Sequence, residues 1–137
     1  MQAFVAAGQN TWINVDQLGQ SLEARNAIAY KEQKKYELAL EQMNIAMKLN
    51  PYSSMVFNNL GTIYTEMNDF KKAIPYYEKA LELTPDYDIV KKNLAYNYYR
   101  VGNYKGTIKT LEKVDIANDA FLVNMINEAK RLAATQP

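Results

Sequence analysis

Residues Phe57 to Pro85, FNNLGTIYTEMNDFKKAIPYYEKALELTP, decide the fold of this chain. The stretch contains two apolar patterns at helical spacing, and a short polar turn at Asn68-Asp69 separates them. Landmark positions recur every 34 residues in four columns: Tyr30, Tyr64, Tyr98; Tyr36, Phe70, Tyr104; Leu40, Ile74, Ile108; and Ala46, Ala80, Val114. A period in this range, with two helices in each unit, indicates a stacked array of helix pairs.

The middle unit resembles the tetratricopeptide repeat. The pattern of that family consists of a bulky aromatic residue, a Leu-Gly pair, a Tyr, an Ala, a second aromatic residue, another Ala and a closing Pro. The corresponding residues here are Phe57, Leu60, Gly61, Tyr64, Ala73, Tyr77, Ala80 and Pro85. The resemblance implies an all-α fold, namely a right-handed α-solenoid of antiparallel helix pairs.

The same register divides the chain into units. It predicts a partly helical N-terminal extension at residues 1–19, repeats at 20–53, 54–87 and 88–121, and a C-terminal capping helix at 120–134, all within a single domain. The outer units depart from the pattern, since Glu23 and Asn26 replace the aromatic residue and the Leu of the first repeat. Thr107 and Asp119 replace an Ala and the Pro of the third repeat. Such drift is expected, because each terminal repeat has one face without a neighbour.

The pattern also predicts which side chains form the core. Small residues at Ala27, Gly61 and Ala95 are expected where the two helices of a unit cross, because only small side chains allow close approach. Tyr64 is expected to fill a gap in the core as a fully buried ring. The inner stripe of the capping helix is expected to comprise Phe121, Met125, Ala129 and Leu132.

Composition excludes several classes of function. The 137 residues carry a net charge of +1, so no bulk field attracts nucleic acid or an anionic membrane. The chain has no Cys and no His, which removes disulfides, thiolate chemistry, the usual zinc ligands and the commonest general base. No apolar run reaches the about 20 residues that span a bilayer. The sequence therefore predicts no enzyme activity, no cofactor, no metal site, no nucleic-acid partner and no membrane span.

The sequence does not determine the cellular compartment of the protein. A soluble protein of this composition suits the cytoplasm, or the periplasm if the short apolar patch at residues 3–7 is the remainder of a removed signal peptide. The alternative is that this patch is an ordinary, partly helical start of the chain.

The resemblance implies a concave groove, because in this family the first helix of each unit lines a groove that holds a peptide. The corresponding positions here are Arg25, Ile28, Met55, Asn58, Asn59, Thr62, Glu66, Ile89, Lys92, Asn93, Tyr96, Tyr99 and Arg100. Asn59 and Asn93 lie one repeat apart, and we expect their amides to form a short ladder along the groove. An amide both donates and accepts, so such a ladder can hold a peptide backbone. The alternative is that these Asn side chains are only solvated and that Tyr96 and Tyr99 pack on the capping helix.

One known type of groove is disfavoured. Members of the family that bind the acidic C-terminus of heat-shock chaperones use a clamp of two Lys, one Arg and two Asn. The corresponding residues here are Ala24, Ile28, Asn59, Ile89 and Asn93, of which only Asn59 fits. Lys92 and Arg100 still place basic groups on the groove wall, which is compatible with a mildly acidic peptide.

Two functions follow from this interpretation. The first is a protein–protein interaction module that binds a peptide or an extended segment of a partner, as an adaptor, a chaperone or an assembly factor. The alternative is a structural self-assembly module, a homo-oligomer formed through its terminal helices or its N-terminal segment.

Overall fold

The computed structural model describes residues 21–137, so the extension predicted at residues 1–19 lies outside the described range. Within this range there are seven helices: α1 (Leu22–Glu32), α2 (Tyr36–Leu49), α3 (Ser54–Glu66), α4 (Phe70–Leu83), α5 (Asp88–Arg100), α6 (Tyr104–Thr110) and α7 (Ala120–Ala133). The described residues contain no strand, and the predicted all-α solenoid is confirmed. None of these helices is long and apolar enough to cross a membrane.

Side-chain caps determine where most of the helices begin. A short polar side chain before the helix accepts a hydrogen bond from the backbone N–H three residues later, at 2.9 to 3.3 Å. The capping residues are Ser21, Ser53, Asp69, Asn103 and Asp119. Each cap satisfies one of the backbone donors that a helix leaves free at its N-terminus, which fixes the start of the helix.

Within each repeat, a single left-handed residue turns the chain from the first helix to the second. These residues are Lys34 (φ 62°), Asn68 (φ 62°) and Gly102 (φ 85°), and they are spaced by the repeat length. The left-handed conformation predicted at Gly102 is confirmed. Glycine adopts it without the steric conflict between Cβ and the backbone that Lys34 has to bear.

The helices form two layers. Helix α1 contacts α3, α3 contacts α5, and α5 contacts α7, whereas no Cα atoms of α2 and α4, or of α4 and α6, approach within 8 Å. Helices of a curved array lie closest together on its inner side. The odd-numbered helices therefore form the inner layer, and α2, α4 and α6 form the outer layer.

The tightest contact in the core joins α3 to α4. A Cβ atom placed on Gly61 would lie only 2.7 Å from the ring of Tyr77, which is completely buried. The Tyr77 hydroxyl donates to Thr62 Oγ1 at 3.2 Å and lies 3.1 Å from Thr65 Oγ1. Thr65 in turn donates to Asn97 Oδ1 on α5 at 3.0 Å. Burial raises the pKa of Tyr77, so the hydroxyl stays neutral and serves packing.

Two predictions about the core were wrong. Tyr64 is only half-buried and stacks on Tyr76, with ring centroids 5.6 Å apart, because Tyr77 already occupies the space above Gly61. Phe121 is 61% exposed. The buried stripe of α7 consists of Leu122, Met125, Ile126 and Ala129, and this spacing leaves Phe121 at the edge of the helix.

The first repeat has an open face in the described part of the chain. Leu22 is 59% exposed, whereas Val56, one repeat later, is 5% exposed and Val90 is fully buried. The preceding helix covers Val56 and Val90 in the later repeats. Asn26 replaces the buried Leu60 of the second repeat, so this open face is partly polar.

Tyr77→Ala should lower the free energy of unfolding by about 3–5 kcal/mol, because it removes a fully buried ring and leaves a cavity. Tyr64→Ala should lower the free energy of unfolding by less. It removes one stacking contact, worth about 0.5–1.5 kcal/mol, and a ring that is only half-buried. Urea unfolding followed by circular dichroism measures both changes. A larger loss for Tyr64→Ala would contradict the packing described above.

Lys34→Gly should raise the free energy of unfolding, because it removes a left-handed conformation that costs a residue with a side chain about 1–2 kcal/mol. The gain is partly offset by the greater freedom of glycine in the unfolded chain. Gly102→Ala is the matched opposite change and should lower stability by about 1 kcal/mol. Thermal melts of the two variants should shift in opposite directions, and shifts of the same sign would disprove the shared turn conformation.

Candidate functional site

Helix α5 carries the largest group of predicted groove residues. With 3.6 residues per turn, they share the side of α5 opposite its buried residue Leu94. These residues are Ile89, Lys92, Asn93, Tyr96, Tyr99 and Arg100. This side of α5 belongs to the inner layer of the array, and we name the surface of the odd-numbered helices facing away from the core the inner face.

An open hollow of about 370 Å³ lies on the inner face between α5 and the start of α7. Its lining residues are Ile89, Lys92, Asn93, Tyr96, Asp119, Phe121 and Leu122. Ile89 is 56% exposed and Phe121 is 61% exposed, so two large apolar side chains border the hollow. The sequence interpretation did not include Asp119, Phe121 and Leu122 among the groove residues. The apolar residues Leu122, Met125, Ile126 and Ala129 form a buried stripe on α7 without Phe121, and this spacing was the signal that Phe121 is exposed.

A row of aromatic rings extends from the hollow towards α4. The Phe121 and Tyr96 ring centroids are 5.9 Å apart, and Tyr96 meets Phe70 edge-on at 6.0 Å. The guanidinium of Arg100 lies 4.3 Å from the centroid of the Phe70 ring, and its Nη1 donates to the Tyr96 hydroxyl at 2.7 Å. These contacts fix the Arg100 cation on an aromatic surface beside the hollow.

The charges of this region are mainly uncompensated cations. Among the described residues, Lys92 and Arg100 form no salt bridge. Asp119 is the acidic residue that lines the hollow, and its Oδ1 accepts from the backbone N–H of Leu122 at 3.1 Å. The hollow therefore combines an apolar surface with the ammonium of Lys92, and the Arg100 guanidinium lies beside it.

The amides of the inner face pair differently from the expected ladder. Asn93 Nδ2 donates to Asn58 Oδ1 at 3.1 Å, so the bond between repeats uses Asn58 where the ladder was expected to use Asn59. Asn59 Nδ2 is shielded from solvent and has no hydrogen-bond partner among the described residues. Asn97, by contrast, accepts from Thr65 and donates to the Asn93 carbonyl at 2.8 Å.

Two further groove residues take part in packing. Thr62 donates to the Asn58 carbonyl at 2.9 Å and accepts from Tyr77, so its hydroxyl is engaged within the protein. Tyr99 meets Tyr104 edge-to-face at 5.7 Å. Tyr99 also borders a second open hollow on the other side of Phe121, with Asn124, Met125 and Glu128.

The remaining groove residues lie on α1 and α3, outside the lining of the α5–α7 hollow. Glu66 pairs with Lys31 of the first repeat, with 3.4 Å between carboxylate and ammonium. Ile28 packs partly against the core. Arg25 is exposed and Met55 is partly exposed. The described residues include no group of His, Cys, Asp and Glu side chains arranged to hold a metal ion.

Asn59→Ala should leave the free energy of unfolding unchanged or raise it slightly, because it removes a shielded donor that has no partner. Asn97→Ala is the matched variant and should cost about 1–3 kcal/mol, because it breaks two hydrogen bonds of a buried side chain. Chemical denaturation measures the free energy of unfolding of both variants. An equal loss in both variants would show that Asn59 is bonded in solution.

Comparison with known proteins gives the same architecture. The family model described as tetratricopeptide repeat matches residues 54–87, which comprise α3, α4 and the turn after them. A search of curated proteins found no match. The chain resembles the first tetratricopeptide-repeat domain of Spaghetti (RPAP3) bound to the HSP90 peptide SRMEEVD, with 18% identity over 83% of this chain and 94% of that chain, and a TM-score of 0.74.

Two yeast structures are similar as well. Tom70 shares 25% identity over 88% of this chain and 25% of its own, with a TM-score of 0.75. The TPR2B domain of Sti1, in its complex with pHsp70, shares 17% identity over 81% of this chain and 98% of its own, with a TM-score of 0.68. The helix pair at residues 54–87 is a tetratricopeptide repeat, and residues 21–137 of this chain have the fold of a tetratricopeptide-repeat domain.

Proposed function

We propose that this protein is an interaction module that binds a peptide or an extended segment of a partner protein on its inner face, as an adaptor, a chaperone or an assembly factor. The observation that carries the proposal is the hollow between α5 and α7. Exposed apolar side chains line it together with Lys92, and Arg100 lies beside it on Phe70 and Tyr96; neither cation has an acidic partner among the described residues.

The chemistry of the hollow favours a particular kind of segment. Ile89, Tyr96 and Phe121 offer an apolar and aromatic surface, which suits a bulky apolar anchor side chain of the ligand. Lys92 and Arg100 suit an acidic residue beside that anchor. The segment would therefore combine one large apolar residue with at least one carboxylate.

Recognition of a chaperone terminus by the clamp of two Lys, one Arg and two Asn is not part of the proposal. The RPAP3 and Sti1 structures contain chaperone partners, an HSP90 peptide and pHsp70. In this chain Ala24, fully buried, and Ile28 occupy positions where the clamp has other residues, and Ile89 takes a third such position. In this chain, apolar contacts in the hollow would supply the binding energy that contacts between charged groups supply in the clamp.

Phe121→Ala should weaken binding of segments selected by the wild-type protein from a random peptide library by about tenfold or more, since exposed aromatic anchors often contribute 1–2 kcal/mol or more. Fluorescence anisotropy with the selected peptides measures the loss. Tyr52→Ala is the matched control, because Tyr52 is 80% exposed but does not line the hollow.

The selected peptides themselves provide a second measurement. They should be enriched in a bulky apolar residue close to Asp or Glu, and their affinity should fall as salt is raised. A library without binders, or binders that Phe121→Ala and Tyr52→Ala affect equally, would contradict the proposed function.

A further inference from the structure

An apolar stripe follows the outer side of α2. Leu38, Ile45 and Leu49 are 43%, 40% and 64% exposed. Their spacing of seven and four residues places them on one line along the helix, next to the side that Ala39 and Met43 bury in the core. Nothing in the described part of the chain covers this stripe.

Packing of the repeat does not require apolar residues at two of these three positions. One repeat later, Lys72 occupies the place of Leu38, and Lys79 occupies the place of Ile45. Both lysines are exposed on α4, where they form salt bridges with Asp69 and Glu82. The positions of Leu38 and Ile45 are therefore solvated in the second repeat and apolar in the first, whereas Leu83, in the place of Leu49, stays apolar and packs partly against the core.

Charges beside the stripe indicate what covers it. Glu37, Glu41 and Lys48 follow one flank of the stripe, all are exposed, and none of them forms a salt bridge within the described residues. In an antiparallel pair of identical helices, like flanks face each other. Lys48 then lies opposite Glu37 and Glu41 of the second copy, twice by symmetry, while Leu38 faces Leu49. We propose that two copies of this chain associate through α2 in this antiparallel, two-fold arrangement.

The surface beside Leu38 is shaped to receive the second helix. A separate open hollow at the N-terminal end of α2 is lined by Lys34, Lys35, Leu38 and Met67 among others. The antiparallel register places Leu49 of the second copy against this hollow. Lys34 and Lys35 then lie beside the C-terminal end of that helix, where the helix dipole favours positive charge.

The contact is short, and this determines how the dimer should behave. Helix α2 has 14 residues, so the seam is about 21 Å long at 1.5 Å per residue. An interface of this length falls below the size of stable complexes and gives weak, concentration-dependent association. The dimer should form in the micromolar range and dissociate on dilution. It leaves the hollow between α5 and α7 open to a peptide.

Sedimentation velocity of the full chain across micromolar concentrations tests the association. The wild-type protein should move from monomer to dimer, and Ile45→Lys, which gives α2 the residue of α4, should shift the dissociation constant by about tenfold or more. Ile89→Lys is the matched control, because Ile89 is also an exposed isoleucine but lies on the inner face, and it should leave the dimer unchanged. A wild-type protein that stays monomeric throughout would overturn the proposal, as would an Ile45→Lys variant that dimerises with the dissociation constant of the wild-type protein.

A charge exchange tests the arrangement itself. Lys48→Glu, and Glu37→Lys combined with Glu41→Lys, should each weaken self-association, since like charges then face each other across the seam. Mixing the two variants should restore a dimer with one copy of each, because both sets of contacts become attractive again. Failure of the mixture to associate while each variant keeps its helical circular dichroism would rule out the antiparallel seam. Peptide binding that is unchanged in Ile45→Lys would show that the outer stripe of α2 and the hollow act independently, so a failure of the dimer would not count against the proposed function.

Discussion

The contact between Tyr77 and the backbone of Gly61 is the constraint on which the array depends. A Cβ atom at Gly61 would clash with the Tyr77 ring, so the close crossing of α3 and α4 requires glycine at this position. The ring is buried, yet its hydroxyl is satisfied by Thr62 and Thr65. A buried polar group without such partners would cost about 1–3 kcal/mol. Through Thr65 and Asn97 the same network reaches the next repeat, and it thereby fixes α5 relative to α3.

This arrangement leaves the inner face available for binding. The small and aromatic residues that hold each helix pair together point between the layers, and on the opposite side of α5 Ile89 is 56% exposed. Apolar side chains such as Ile89 and Phe121 stay exposed there, which has no benefit for folding. Arg100 is positioned beside them by Phe70 and Tyr96, both of which belong to the framework. The framework thus orders the basic group in advance, which lowers the entropy cost of binding.

The two ends of the array differ in a way that matters for assembly. At the C-terminal end, α6 has only seven residues, and α7 covers the last repeat with Leu122, Met125 and Ile126. Thr107, which replaces the Ala of the pattern, is accommodated because its hydroxyl donates to the Ala95 carbonyl at 3.2 Å. At the N-terminal end of the described chain, Leu22 and the outer stripe of α2 stay uncovered. A weak association through α2 and a peptide on the inner face use separate surfaces, so a dimer would present two binding sites and gain in avidity.

The sequence alone determined the all-α solenoid and the left-handed turn at Gly102, because a 34-residue period and turn residues can be read directly along the chain. Column position also identified the residues of α5 that share one side of the helix. It did not show that Asn93 bonds Asn58, that Tyr77 and not Tyr64 is the buried ring, or that Phe121 leaves the core to border the hollow. Those outcomes depend on the exact offset between neighbouring helices and on which side chain first fills a shared space. Tertiary packing sets both, and the spacing of residues along the sequence does not reveal them.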